Sequence, residues 1–200
     1  MRSPFATRHA SCRIDPTAPV GAVCPLPFKN ISRTMIEIER KFLVRDINWG
    51  QPLSNRRIEQ GYLFIGEDRT MRIRRSGDRY SLTLKVTGDG LARHEIETDI
   101  EPEKGQFVLE TLCVEPPILK TRHVVVFGGK NWEIDVFDGA SAGLIVAEIE
   151  LESEEESFAL PPWIGPEVTD DDRFFNAALA QTPFLEWGIS YAELLAEKER

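Results

Sequence analysis

The sequence predicts a mainly β protein: eight antiparallel strands closed into a barrel that encloses a charged tunnel, with flanking helices. Three observations predict it. From Met35 onward the chain breaks into short runs that alternate strictly between two kinds of side chain. Gly- and Asp-rich steps punctuate these runs at hairpin spacing. Each run is ionic on one face and apolar on the other, so a sheet made of them has two unlike surfaces.

Residues 35–44 (MIEIERKFLV) open the pattern, and 58–65, 69–75 and 79–87 follow it. Turns fall at Gly66-Glu67-Asp68 and Gly77-Asp78, which pairs these neighbours as antiparallel hairpins. Gly88-Asp89-Gly90 leads into 92–100, and Gly128-Gly129 joins 118–127 to 131–138; the last run is 143–151. Eight runs are enough to close a barrel. Helical patterns occur at 102–113, 153–160, 170–180 and 189–198.

Residues 1–34 lack this periodicity and are rich in Pro, Ala, Ser and Arg, so the sequence divides into an N-terminal extension expected to be disordered (1–34) and one domain (35–200). The extension holds five basic side chains and one acid, net +4, which leaves −13 on the remainder of a chain of net charge −9. A body so acidic repels nucleic acid, and a polyanionic ligand must be held by a local cluster of cations. No apolar run reaches the length of a membrane span. The three cysteines, Cys12, Cys24 and Cys113, form no metal-ligand spacing and no disulfide framework, so a cytoplasmic location is the default. The oligomeric state is open, a homodimer among the options.

Placing i and i+2 on one strand face groups the charges. Glu37, Glu39 and Lys41 align on the first strand, and Arg72 with Arg74 on the third. Lys85 joins Ser81 and Thr83; Arg93 joins Glu95 and Glu97. Lys120 pairs with Arg122, Glu133 with Asp135, and Glu148 with Glu150. A barrel can turn either face inward. Charge-inward is favoured because helices cover apolar faces, and because like charges repeat along each strand where solvated faces mix signs. In addition, Glu148 and Glu150 sit in a run, GLIVAEIEL, that reads as buried on both sides. Hard carboxylate oxygens suit Mg²⁺ or Mn²⁺, and Arg and Lys suit phosphate oxygens. A chamber with both is built for a metal–polyphosphate complex. No phosphate-binding glycine loop of the GxxxxGK[ST] or GxGxxG kind is present.

At these residues the chain resembles the CYTH superfamily, the triphosphate tunnel metalloenzymes. Glu37-Ile38-Glu39-Arg40-Lys41 matches the ExExK signature. Gln60-Gly61-Tyr62-Leu63, Arg72-x-Arg74, Thr83-Leu84-Lys85, Arg93-x-Glu95-x-Glu97, Lys120-Thr121-Arg122, Glu133-Ile134-Asp135 and Ala147-Glu148-Ile149-Glu150 follow in order, and Arg173 and Asn176 close the match. One departure is Phe174, where the pattern has Tyr. The resemblance is greatest to the small bacterial inorganic triphosphatases, and it implies hydrolysis of tripolyphosphate to pyrophosphate and phosphate. In that reading Glu37, Glu39, Glu148, Glu150 and Asp135 are metal ligands. Arg72, Arg74, Lys85, Arg93, Lys120 and Arg122 grip the substrate, and Glu39, Lys41 and Lys85 act at the reacting phosphoryl group. The alternatives are an organic triphosphatase for nucleotides or thiamine triphosphate, an adenylate cyclase, a polyphosphate-binding module without turnover, and a lipocalin-like carrier with the opposite strand orientation.

Overall fold

The computed structural model describes residues 38–87 and 93–200, apart from the side chains of residues 87, 93 and 94. The expectations for residues 1–34, for Glu37 and for the Arg93 side chain fall outside it. Eight strands stand where alternation predicted them: β1 (Ile38–Val44), β2 (Ser54–Ile65), β3 (Arg69–Ser76), β4 (Arg79–Thr87), β5 (Arg93–Ile100), β6 (Ile118–Phe127), β7 (Lys130–Asp138) and β8 (Ile145–Leu151). The turn chemistry is local. Gly128 and Gly129 both have positive φ (60° and 80°), the geometry that a two-residue hairpin demands.

A ninth strand, β9 (Ile164–Glu167), pairs antiparallel with the outer side of β1. It is four residues long and includes Pro166, which an edge strand tolerates because one row of its backbone groups needs no partner. All nine strands form one sheet in the order β5-β4-β3-β2-β6-β7-β8-β1-β9. The expected eight-stranded closed barrel is therefore corrected to an open nine-stranded sheet. Among the described residues its edges, β5 and β9, share no ladder. A short edge that holds a proline and an edge strand carrying Glu95, Glu97 and Asp99 are poor partners for closure.

The sheet is nonetheless strongly rolled. β4 and β1 lie six strand spacings apart along it, about 29 Å if the sheet were flat. Yet Lys85 of β4 and Glu39 and Lys41 of β1 border one cleft of about 370 Å³.

The convex face is apolar and covered in two ways. Helix α1 (Pro102–Thr111) lies over β3 and β4, with Leu109 packed among Ile73 and Tyr80. The approach is so close that a Cβ on Gly105 would stand 2.4 Å from the Tyr80 ring. Over β1, β7 and β8 the cover is extended chain: Phe158 and Trp163 stack edge-on against Trp132 at 5.8 and 5.6 Å. The helix expected over 153–160 is absent. Glu152, Glu154, Glu155 and Glu156 crowd like charges there, and Pro161-Pro162 follows immediately, so an extended path that buries Phe158 is favoured over a helical turn. The pattern at 170–180 resolves into a short 3-10 turn and α2 (Asn176–Gln181).

The concave face changes character along its length. The strand faces that carry the charges also carry Leu43, Tyr62, Ile118, Phe137 and Val146, and these form one core with Phe174, Leu179, Phe184 and Leu194. The C-terminal segment thus packs into one end of the roll and leaves the ionic middle as a pocket. Helix α3 (Tyr191–Lys198) starts with a reciprocal cap between Ser190 and Glu193. The Tyr191 hydroxyl accepts the Val44 N–H at 2.8 Å and lies 2.8 Å from the Val44 and Ile145 carbonyl oxygens, which ties α3 to β1 and β8. Tyr191→Phe is expected to cost about 1–3 kcal/mol, because it strands these backbone groups out of water. Urea unfolding reads the change, and a midpoint equal to wild type would mean that the hydroxyl holds nothing.

Candidate active site

The pocket is built from two rules of strand geometry. Side chains two apart on a strand share a face, and register decides which charges meet across strands. Registry sets Lys41 against Glu148, Arg122 against Asp135 and Lys85 against Glu95. These opposite-sign pairs stand at the short cross-strand spacing, while register also sets Glu39 against Glu150 and Glu133 against Glu148, which gathers carboxylates on one wall.

Glu39, Lys41, Arg72, Arg74, Lys85, Arg122, Glu148 and Glu150 line the cleft together with Glu133. The charged face points inward, and an apolar carrier with the opposite orientation is excluded. Lys120 and Asp135 form the floor beneath. Lys120 is fully buried and donates to Asp135 at 2.5 Å and to Asn176 at 3.2 Å. Both Asp135 oxygens accept from Arg122, at 2.7 and 2.6 Å. Arg122 also reaches Glu133 and, at 2.7 Å, Glu148 two strands away. Lys41 bridges Glu148 at 2.6 Å and Glu39 at 2.8 Å. On the other wall Glu95 accepts from Lys85 at 2.8 Å and lies 3.4 Å from Arg72.

These contacts set the titration of the pocket. Burial, and next the negative Glu148, push Glu39 up to about 7, although a third of its side chain still meets solvent. Burial also acts to raise Glu148, but Lys41, Arg122 and Lys120 hold it well below the usual carboxylate range. Burial lowers Lys120 in spite of Asp135. Burial, with Arg72 and Arg122 as neighbouring cations, brings Arg74 down to about 10. The corner thus sets two carboxylates against each other around Lys41, and burial together with that repulsion makes the charged form of Glu39 harder to hold.

Sequence reasoning had no role for several cleft residues. Tyr62, Phe175 and Asn176 line it, and so do Gly66, Glu67, Arg69 and Thr70 of the β2–β3 hairpin. Tyr62 and Asn176 lay within quoted motifs; the hairpin carried no signal beyond its turn. Phe174, the position of the departure, is buried in the core and packs edge-on against Trp187 at 5.3 Å, and Phe175 borders the cleft instead. Cys113 lies just beyond α1, partly buried beside its apolar cluster.

Comparison with known proteins gives the family. Residues 35–175 match the model of the CYTH domain. The chain belongs to the CYTH family. Two CYTH relatives are inorganic triphosphatases. The protein of Acetivibrio thermocellus is 40% identical over 148 residues, which cover 74% of this chain and 95% of the relative. That of Nitrosomonas europaea is 40% identical over 151 residues, 73% of this chain and 97% of the relative. The crystal structure of an inorganic triphosphatase superposes with a TM-score of 0.58 at 33% identity, over 74% of this chain and 97% of that one. Among the described residues no helix is long and apolar enough to cross a membrane.

Proposed function

We propose that this CYTH protein hydrolyses inorganic tripolyphosphate to pyrophosphate and phosphate in the rolled-sheet cleft. The observation that carries the reading is the cleft itself. Arg72, Arg74, Lys85 and Arg122 face Glu39, Glu148 and Glu150 across one cavity, in a chain 40% identical to two inorganic triphosphatases.

A divalent cation fits the carboxylate corner. Among the described residues no three acidic or His/Cys side chains converge tightly enough to enclose an ion by themselves. Mg²⁺ does not need such a cage, since it is usually held by one or two carboxylates plus substrate phosphates. Glu39 and Glu148, the pair in which burial and then the neighbouring carboxylate raise Glu39, would hold it, with Glu150 opposite Glu39 in register and Glu37 as a further candidate. Bound with substrate, the ion would offset charge on phosphoryl oxygens and acidify water.

The remaining work falls to side chains in hand. Arg72, Arg74 and Arg122 offer planar forks to the phosphate oxygens, and Lys85 offers a point charge. They stabilise the negative charge that spreads over the transferred group in a loose transition state. Lys41, held between Glu39 and Glu148, keeps those carboxylates aligned and stands at the cleft surface to meet an anionic oxygen. Asp135 acts as the anchor that aims Lys120 and Arg122, since both of its oxygens are taken.

A second reading, an organic triphosphatase, is favoured by Phe175 and Val86 in the cleft lining, which offer an apolar surface to a base or ring. One substrate panel separates the two: tripolyphosphate, ATP, thiamine triphosphate and pyrophosphate, each with Mg²⁺ and with Mn²⁺. Tripolyphosphate is expected to give the highest kcat/KM. In the same assay Arg72→Ala is expected to lower kcat/KM by about ten- to a hundredfold, the worth of one charge-assisted contact. Turnover of none of the four substrates would overturn the triphosphatase reading.

A further inference from the structure

Among the cleft cations for which the structure gives side-chain partners, Arg74 differs in kind. Lys41, Arg122, Arg72, Lys85 and Arg69 each touch a carboxylate, and so does Lys120 beneath them. Arg74 donates its Nε–H at 3.0 Å to the amide oxygen of Gln60, a neutral group. Gln60 is fully buried at the centre of the sheet and stands directly opposite Arg74 in the β2–β3 register.

The orientation of that amide is determined. A guanidinium only donates, so the Gln60 oxygen must face Arg74 and its nitrogen must face the other way. There the NH₂ donates to the Tyr62 hydroxyl oxygen at 3.0 Å. With its oxygen occupied as acceptor, the Tyr62 hydroxyl keeps its proton for another partner, and Tyr62 borders the cleft. One neutral side chain thus fixes an arginine and a phenol, both as donors toward the same cavity.

Resting on the triphosphatase reading above, we propose that Gln60 is a positioning residue that holds Arg74 through a neutral amide, with no carboxylate in contact, and so leaves its charge to the substrate. A carboxylate at this position would hold Arg74 equally well but would neutralise it. An amide holds it without spending its charge. In a cleft already rich in internal ion pairs, the cation with a neutral partner has the most attraction left for an incoming anion.

The test is Gln60→Glu, which conserves shape. Binding of tripolyphosphate is measured by titration calorimetry without divalent cation, and KM and kcat are measured with Mg²⁺. Affinity is expected to fall about ten- to a hundredfold, with KM rising more than kcat falls. Gln60→Met, which keeps the bulk and offers no hydrogen bond to Arg74, is expected to weaken binding in the same direction, and it serves if the first variant does not fold. The decisive comparison is made in an Arg74→Met background. There Gln60→Glu is expected to have little further effect, because the cation it neutralises is gone. An equal loss in both backgrounds would mean that the new charge merely repels the anion, and would overturn the proposal. So would wild-type affinity in Gln60→Glu. Failure of the wild-type protein itself to bind tripolyphosphate would overturn the triphosphatase reading and this proposal with it.

Discussion

Glu148→Gln is expected to lower kcat/KM for tripolyphosphate by about 10²–10³ while the protein stays folded. Glu148 is the residue on which both halves of the site converge. One of its oxygens accepts from Lys41 at 2.6 Å and the other from Arg122 at 2.7 Å, and it lies against Glu39. Gln keeps the shape and removes the charge that would attract a hard cation. The fold survives because each cation retains another carboxylate: Lys41 keeps Glu39 at 2.8 Å, and Arg122 keeps Asp135. The check is kcat/KM across a Mg²⁺ titration, with circular dichroism to confirm the fold. Activity equal to wild type at limiting Mg²⁺ would remove Glu148 from the metal site.

Asp135→Asn is expected to be the most destabilising of the changes considered, at about 3–5 kcal/mol, because it breaks a buried ion pair on one side only. Lys120 is fully buried and Asp135 is 1% exposed, so no water can take the place of the lost charge. Asn176 offers Lys120 a neutral oxygen at 3.2 Å, which does not replace a carboxylate. At this chain length the melting temperature is expected to fall by roughly 10 °C or more. The double variant Lys120→Met with Asp135→Leu gives the sharper result. Replacing both partners with apolar side chains is expected to restore most of the stability, yet activity should stay low because Arg122 loses its main anchor. Recovery of both stability and activity in the double variant would show that this pair supports the fold alone.

How much of this was legible depends on the range of the interactions involved. Alternation in 35–44 predicted that Glu39 and Lys41 share a face, and the cleft contains both. Doublets such as Arg72 with Arg74 and Glu148 with Glu150 pointed to the same surface. The ninth strand was missed because four residues with a central proline carry no period. The helix expected at 153–160 does not form: the segment crowds its glutamates together, and its first apolar residue, Phe158, packs edge-on against Trp132 from an extended chain. Asp135, which the resemblance gives as a metal ligand, accepts from two cations of the neighbouring strand, Lys120 and Arg122, contacts that no pattern along its own strand announces.

The sequence alone determined which side chains stand together on each strand, since a two-residue period is a property of the backbone and needs no neighbour. It also set the hairpins, through glycines able to take positive φ, and the family. Tertiary structure decided the rest. It left the sheet open, because closure depends on whether two distant edges can pair, and β9 is short and holds a proline. It turned one end of the concave face into core, because residues 174–194 fold back onto Leu43 and Val146. It joined Arg122 to Glu148 across an intervening strand and gave Arg74 an amide for a partner. Each of these is a contact between residues far apart in the chain, set by register and curvature, and no local pattern of residue types encodes them.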